Sequence, residues 1–98
     1  MNLNPLERDI EKAVCDYAKL PEHGPMLVYK FTSPSRRSVP DRMFITITGK
    51  VFFCEFKRKG EQLTPAQARE HQRLKEQNVI VYVIDSIVDG KMLVELMS

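Results

Sequence analysis

Residues 39–57, V-P-D-R-M-F-I-T-I-T-G-K-V-F-F-C-E-F-K, hold the pattern that decides the predicted fold. Two apolar runs in this stretch, residues 43–47 and 51–56, are rich in β-branched and aromatic side chains, which favour strands. The three residues between them, 48–50, have the sequence T-G-K and are typical of a turn. The stretch therefore predicts a β-hairpin.

Three charged residues accompany this hairpin: Asp41 precedes the first strand, and Glu55 and Lys57 end the second. Because side chains alternate along a strand, Glu55 and Lys57 share one face, with Phe56 on the other. A carboxylate inside an apolar strand is costly unless its charge is compensated, and a divalent metal would compensate it. Two carboxylates and a lysine at this spacing suit metal-assisted hydrolysis of phosphodiesters.

The register of the hairpin decides whether the two carboxylates share a face. A two-residue loop would place Asp41 and Glu55 on opposite faces of the sheet. A three-residue loop at 48–50 would place Asp41 opposite Lys57, on the same face as Glu55. A bulge, or a strand that ends at Pro40 so that Asp41 bends back, is the alternative. We predict an odd loop or a bulge.

The order of these motifs resembles a known family. A P-D pair, a hairpin and an E-x-K triplet resemble the PD-(D/E)xK nuclease superfamily. A wider set of motifs resembles the virus-type replication-repair nuclease (VRR-NUC) domain over roughly residues 7–83. That set comprises an early glutamate, K-F-T-S-P at 30–34, V-P-D-R at 39–42, F-C-E-F-K at 53–57 and L-T-P-A-Q at 63–67.

The resemblance implies an α/β fold with a restriction-endonuclease-like core, a small mixed sheet in the order αβββαβ and a short C-terminal helix. It also implies a metal-dependent DNA endonuclease that uses Mg²⁺ or Mn²⁺ and acts on branched DNA, such as junctions or flaps, in replication, recombination or repair. The alternatives are a non-catalytic DNA-binding module with the same fold, and a structural protein in which the charged residues form an ion-pair network.

The resemblance assigns roles to individual residues. The predicted catalytic residues are Asp41, Glu55, Lys57 and Gln67. The predicted metal ligands are Glu7, Asp41, Glu55 and the backbone carbonyl of Phe56. The alternative for Glu7 is a first-turn carboxylate favoured by the helix dipole, and for Gln67 it is a helix cap that begins at Thr64.

Basic residues bracket the carboxylates, although the net charge of the chain is only +2. The predicted DNA-binding residues are Lys30, Arg36, Arg37, Arg42 and Lys59. Positive charge on both sides of an acidic site would draw in a polyanion. The alternative is an ordinary solvated surface, and Lys30 in particular is equally well explained as an exposed strand lysine. Ser38 stands where the family commonly has glycine.

The other elements follow from periodicity. Helices are predicted over about residues 5–19 and 64–77, and strands over 26–32 and 79–84. The last strand, V-I-V-Y-V-I, is apolar throughout, which predicts burial on both faces and parallel pairing with the Glu55 strand. The apolar C-terminal segment predicts a helix from Asp89, with a hairpin at Asp89-Gly90 as the alternative, and it suggests a homodimer.

Length and composition agree with one globular domain over residues 1–98, with 43% hydrophobic and 29% charged residues. The chain has neither a bilayer-spanning run nor a signal pattern. We therefore expect an intracellular protein, in the cytoplasm of a bacterium or phage-infected host, or in the nucleus of a eukaryote. Cys15 and Cys54 are predicted to be reduced and structural, and His23 to be a surface residue.

Overall fold

Three α-helices and a four-stranded mixed sheet make up residues 4–98, the part of the chain that the computed structural model describes. The elements are α1 (Glu7–Ala18), a 3₁₀ turn (Pro21–His23), β1 (Leu27–Lys30), β2 (Arg42–Ile45), β3 (Val51–Phe56), α2 (Pro65–Glu76), β4 (Val81–Ile84) and α3 (Ile87–Met97). The strands lie in the order β1-β2-β3-β4, antiparallel except for the parallel β3–β4 pair. The predicted order αβββαβ with a final helix is confirmed.

Helix α1 packs on one face of the sheet through residues spaced one turn apart. Ile10, Val14 and Ala18 are fully buried, as the helical period requires of a core-facing stripe. The helix begins two residues later than predicted, and the Asp9 carboxylate accepts a hydrogen bond from the backbone N–H of Leu6 at 3.2 Å. This bond satisfies one of the amide groups that have no partner at a helix N-terminus.

The even-numbered strand residues form the sheet side of the core. Phe44 and Phe52 stack at a ring-centroid distance of 4.9 Å, and Cys54 and Phe56 are fully buried beside them. Burial also raises the pKa of the Cys15 thiol to about 11, and both cysteines are free. Helices α1 and α3 cover the face formed by the even-numbered strand residues. The odd-numbered strand residues, including Glu55, therefore lie on the opposite face.

Helix α3 crosses α1 at a glycine. The Ser86 hydroxyl caps α3 by accepting a hydrogen bond from the Asp89 N–H at 3.1 Å, so this segment is a helix rather than a hairpin. Gly90 is buried, and a Cβ atom built on it would lie 2.2 Å from Cγ2 of Val14. The two helices can therefore approach this closely only because position 90 has no side chain.

The β2–β3 hairpin has the predicted odd loop, but its register differs by one step. Thr46 donates its N–H to the carbonyl of Lys50 at 2.9 Å, which leaves the three residues 47–49 as the loop. Gly49 occupies the left-handed region at φ 88°, the conformation that the last residue of such a loop requires. The predicted loop at 48–50 would have forced Lys50 into that conformation, which is why it is wrong.

Strand β4 lies at the edge of the sheet. The prediction that it is covered on both faces is wrong. Val83 remains 44% exposed because α2 is a polar helix that covers only part of this face. The predicted parallel pairing is confirmed, with Glu55 opposite Val83. Within residues 4–98, no helix combines the length and the apolar composition that crossing a bilayer requires.

His23 is buried, contrary to the prediction of a surface histidine. Its ring lies 4.6 Å from the ring of Tyr17, and its Nδ1 atom is 3.2 Å from the hydroxyl of Ser98. The C-terminus of α3 and the end of α1 enclose the 3₁₀ turn that carries the histidine. The contact with Ser98 joins residues that are distant in the sequence.

Candidate active site

Asp41 immediately precedes β2 and stands beside Glu55. Its carbonyl accepts the N–H of Phe31 at 2.9 Å, which extends the pairing with β1 by one residue. The register that pairs Arg42 with Cys54 places Asp41 opposite Glu55, one step from the predicted partner Lys57. The Asp41 carboxylate also accepts the backbone N–H of Phe56 at 2.8 Å, which orients it toward β3.

Glu55 is only 2% exposed, and its carboxyl lies within hydrogen-bonding contact of Asp41. Burial is the main cause that raises the pKa of Glu55 to about 8, and the Asp41 hydrogen bond and negative charge raise it further. Without a cation, the protonated form of Glu55 is therefore favoured at neutral pH.

Lys57 directly follows β3 and supplies positive charge to this group. Its side chain is also buried, at 6% exposure, and its backbone N–H donates to the Ile84 carbonyl at 2.9 Å. The ammonium group opposes the rise in the pKa of Glu55, which means that it lies close enough to act on that carboxyl. Asp41, Glu55 and Lys57 therefore lie together, as the hairpin pattern predicted.

Glu7, in the first turn of α1, lies near this group. Burial is the main cause that raises its pKa, followed by the charges of Asp41 and Glu61. Lys57 acts in the opposite direction on the pKa of Glu7. Glu61, in the loop after β3, was not among the predicted residues and adds a further carboxylate to this end of the sheet.

His71 is the site residue that the sequence analysis missed. Its Nε2 atom lies 3.3 Å from Oε1 of Glu55, and burial lowers its pKa, which favours the neutral imidazole at pH 7. A histidine that contacts a site carboxylate can hold that carboxylate in one orientation. The position of His71 four residues after Gln67 could have identified it as a site residue, because residues i and i+4 share a helix face.

Gln67 is engaged in a helix cap. Its side-chain oxygen accepts the N–H of Thr64 at 3.0 Å, and the Thr64 hydroxyl accepts the N–H of Gln67 at 3.1 Å. These two bonds form the capping box that the sequence offered as the alternative explanation. The catalytic role of Gln67 stays a prediction.

Two of the predicted DNA-binding arginines already have acidic partners. The Arg42 guanidinium lies 2.6 Å from Glu11 of α1, and Arg36 lies 3.1 Å from Glu70. Lys30, Arg37 and Lys59 are exposed. The sequence identified the basic residues but not the carboxylates that form ion pairs with Arg36 and Arg42.

Ser38 adopts the left-handed conformation, with φ 67°. Glycine reaches this region without strain, whereas a side chain makes it less favourable. This chain therefore has a serine in a conformation that favours glycine, at the position where the resembling family commonly has glycine.

The side chains at this site supply only part of the ligand set that a hard cation needs. Among residues 4–98, no three His, Cys, Asp or Glu side chains are grouped so that they could hold a metal ion. The buried Glu55 nevertheless lies in contact with a second carboxyl group, that of Asp41, and two carboxyl groups this close gain from a cation. Two carboxylates and a backbone carbonyl are oxygen donors of the type that Mg²⁺ and Mn²⁺ prefer. The chemistry of these residues therefore fits a divalent ion, and Glu7 is a further carboxylate near them.

The raised pKa of Glu55 predicts how the stability of the metal-free protein varies with pH. The folded protein keeps the Glu55 proton between its ordinary pKa of 4.5 and about 8, so the unfolding free energy falls as pH rises through this window. From about pH 7 to about pH 8.5 we expect a loss of roughly 1 kcal/mol. Chemical denaturation in the presence of a chelator measures it.

The matched variant is Glu55→Gln, which keeps the shape of the side chain but cannot ionise. It should show a flatter profile over the same pH range and should be more stable than the parent at the upper end. Asp41, Lys57, Glu7 and His71 face the same carboxyl and are unchanged in both proteins. Parallel profiles for the two proteins would contradict the assignment of the raised pKa to Glu55.

Comparison with known proteins agrees with the fold. A solved structure described as "VRR_NUC domain" superposes with a TM-score of 0.80 and 28% sequence identity, covering 91% of this chain and 94% of that one. A protein named "Putative nuclease p44", from Acyrthosiphon pisum secondary endosymbiont phage 1, is 50% identical over 60 residues. That match covers 61% of this chain and 64% of the phage protein, less than two thirds of its length. No family model matches the chain.

Proposed function

From its fold and these similarities, which make the chain a VRR-NUC domain, we propose that it is a divalent-metal-dependent nuclease that hydrolyses DNA phosphodiester bonds. The observation that carries the proposal is the group formed by Asp41, Glu55 and Lys57 on one face of the sheet. A buried glutamate next to a second carboxyl and a buried lysine is costly for folding, and this cost has a function if the two carboxyls hold a cation at a phosphodiester.

Asp41, Glu55 and the Phe56 carbonyl would hold Mg²⁺ or Mn²⁺, with Glu7 contributing through water. When bound, the ion would supply a Lewis acid that neutralises charge on the phosphate and activates water. Lys57 would orient the attacking water or stabilise negative charge in the transition state. His71, by its contact with Glu55, would hold that carboxylate in the orientation that the cation needs.

The substrate we propose is branched DNA, either a junction or a flap, processed during replication, recombination or repair inside a cell. The family resemblance supports the choice of branched DNA. The name of the phage relative, "Putative nuclease p44", supports nuclease activity in general. A DNA-binding module without activity is the second candidate. It is disfavoured because a pure binder gains nothing from carboxylates that repel phosphate.

Cleavage of labelled linear, flapped and four-way DNA, each with Mg²⁺, Mn²⁺ or a chelator, tests the proposal. We expect cutting only with metal and fastest on a branched substrate. Binding of all three DNAs with no cutting under any metal would favour the DNA-binding module, and equal rates on linear and branched DNA would remove the structure-specific part.

A homodimer is also proposed, with α3 as the contact. Val88, Met92 and Leu96 are exposed by 67%, 56% and 77% and recur every fourth residue, so they form one apolar stripe on the helix. Sedimentation at micromolar concentration should give the dimer mass. Replacing Met92 and Leu96 together with lysine should give a folded monomer, and a parent protein that sediments as a monomer would contradict the proposal.

A further inference from the structure

A notch of about 270 Å³ lies between the loop before Asp41 and helix α2. Its lining consists of four arginines, one glutamate and two small residues: Arg36, Arg37, Arg69, Arg73, Glu70, Ser38 and Ala66. With four cationic groups and one carboxylate, the lining has a formal charge of +3. Drug-sized pockets begin at about 300 Å³, so this space suits a single anionic group.

Glu70 is the fixed centre of the notch. Its side chain is only 9% exposed, and one oxygen, Oε1, contacts Arg36 at 3.1 Å and Arg73 at 3.4 Å. A single carboxylate therefore holds two guanidinium groups, one from the loop and one from α2. Each guanidinium carries five N–H donors, so donors remain for another ligand after this contact.

Arg37 and Arg69 contribute charge without a partner of their own. Within the described residues 4–98, neither takes part in an ion pair, and both are exposed. Ala66 lies in the first turn of α2, where the helix dipole favours anions. The notch therefore has more positive charge than its own carboxylate can neutralise, which is the electrostatic signature of a site for an anion.

The notch also lies next to the candidate active site. Ser38 is three residues before Asp41, and Glu70 immediately precedes His71, which contacts Glu55. We propose that this arginine notch binds a second phosphate of the DNA backbone, beside the one that is cut. The inference rests on the proposed function for the identity of the polymer, and it adds Arg69 and Arg73 of α2 to the DNA-binding surface.

The test measures binding rather than cleavage. DNA affinity is determined by fluorescence anisotropy with a chelator present, over a series of salt concentrations, for the parent and for Arg37→Gln/Arg69→Gln. These two arginines are chosen because their loss leaves the Glu70 contacts with Arg36 and Arg73 intact. The control, Lys19→Gln/Lys75→Gln, removes the same charge from exposed positions outside the notch.

We expect the notch variant to bind DNA about 10- to 100-fold more weakly and to lower the salt slope by about 1, the change expected for one lost phosphate contact. The control should change the slope much less. Equal slopes in the parent and the notch variant would overturn the inference, because the cluster would then only fasten the loop to α2. Because no metal is present, the result stands whether or not the protein proves to be a nuclease.

Inorganic phosphate separates the two sources of the anion. It is titrated into the parent and the notch variant while the NMR signals of α2 are followed. Weaker phosphate binding in the variant together with a lower DNA slope supports a backbone contact. Phosphate binding that weakens while the DNA slope stays unchanged would mean that the notch takes free phosphate only, and the proposal would be wrong.

Discussion

Glu55→Gln and Lys57→Met should each reduce metal-dependent DNA cleavage by about 10³-fold or more, the largest functional effects expected of any substitutions in this chain. Glutamine keeps the volume of Glu55 but weakens the hold on a cation, and methionine keeps the buried stem of Lys57 but removes its charge. Neither change opens a cavity, so the circular dichroism spectrum should match that of the parent.

Initial rates on the best-cut DNA, measured at saturating substrate and metal, give the effect. The controls are Glu22→Gln and Lys19→Met, which make the same chemical changes at exposed positions away from the site. Parental activity in Glu55→Gln would remove the site assignment altogether. Activity that returns at high metal concentration in Glu55→Gln but not in Lys57→Met would show that Glu55 binds the metal and that Lys57 acts in the hydrolysis itself.

Gly90→Ala should produce the largest loss of stability. The added methyl carbon would stand 2.2 Å from Cγ2 of Val14 and 3.1 Å from Cγ2 of Ile84, so α3 would have to move away from α1 or from the sheet. Alanine gains about 1 kcal/mol over glycine in helix propensity. Overfilling a core costs about 1–3 kcal/mol or more, and so severe an overlap should exceed the gain by at least about 2 kcal/mol.

Thermal denaturation should show a fall in Tm of about 10 °C or more, by the usual conversion for a domain of this length. The double variant Gly90→Ala/Val14→Ala tests the cause, because it removes the methyl groups that the new Cβ meets. Its loss of stability should be clearly smaller than the two single losses combined. Additive losses would mean that the α1–α3 contact does not limit position 90.

Much of the site follows from local chemistry. Alternation along β3 puts Glu55 and Lys57 on one face, and an odd hairpin loop brings Asp41 to the same face whichever three residues form it. The T-P-A-Q start of α2 likewise needs only its own residues, since Thr64 and Gln67 cap each other. These features depend on atoms a few residues apart, so the sequence by itself determined them.

Tertiary structure decided the partners of the charged groups. Arg42 is paired with Glu11 from α1, and Glu55 meets His71 from α2, although 31 and 16 residues separate these pairs in the chain. The same holds for Gly90, whose close approach to Val14 of α1 the local pattern does not specify. Such contacts depend on how helices and strands pack against one another. The local preferences of the chain do not specify the distances between these elements.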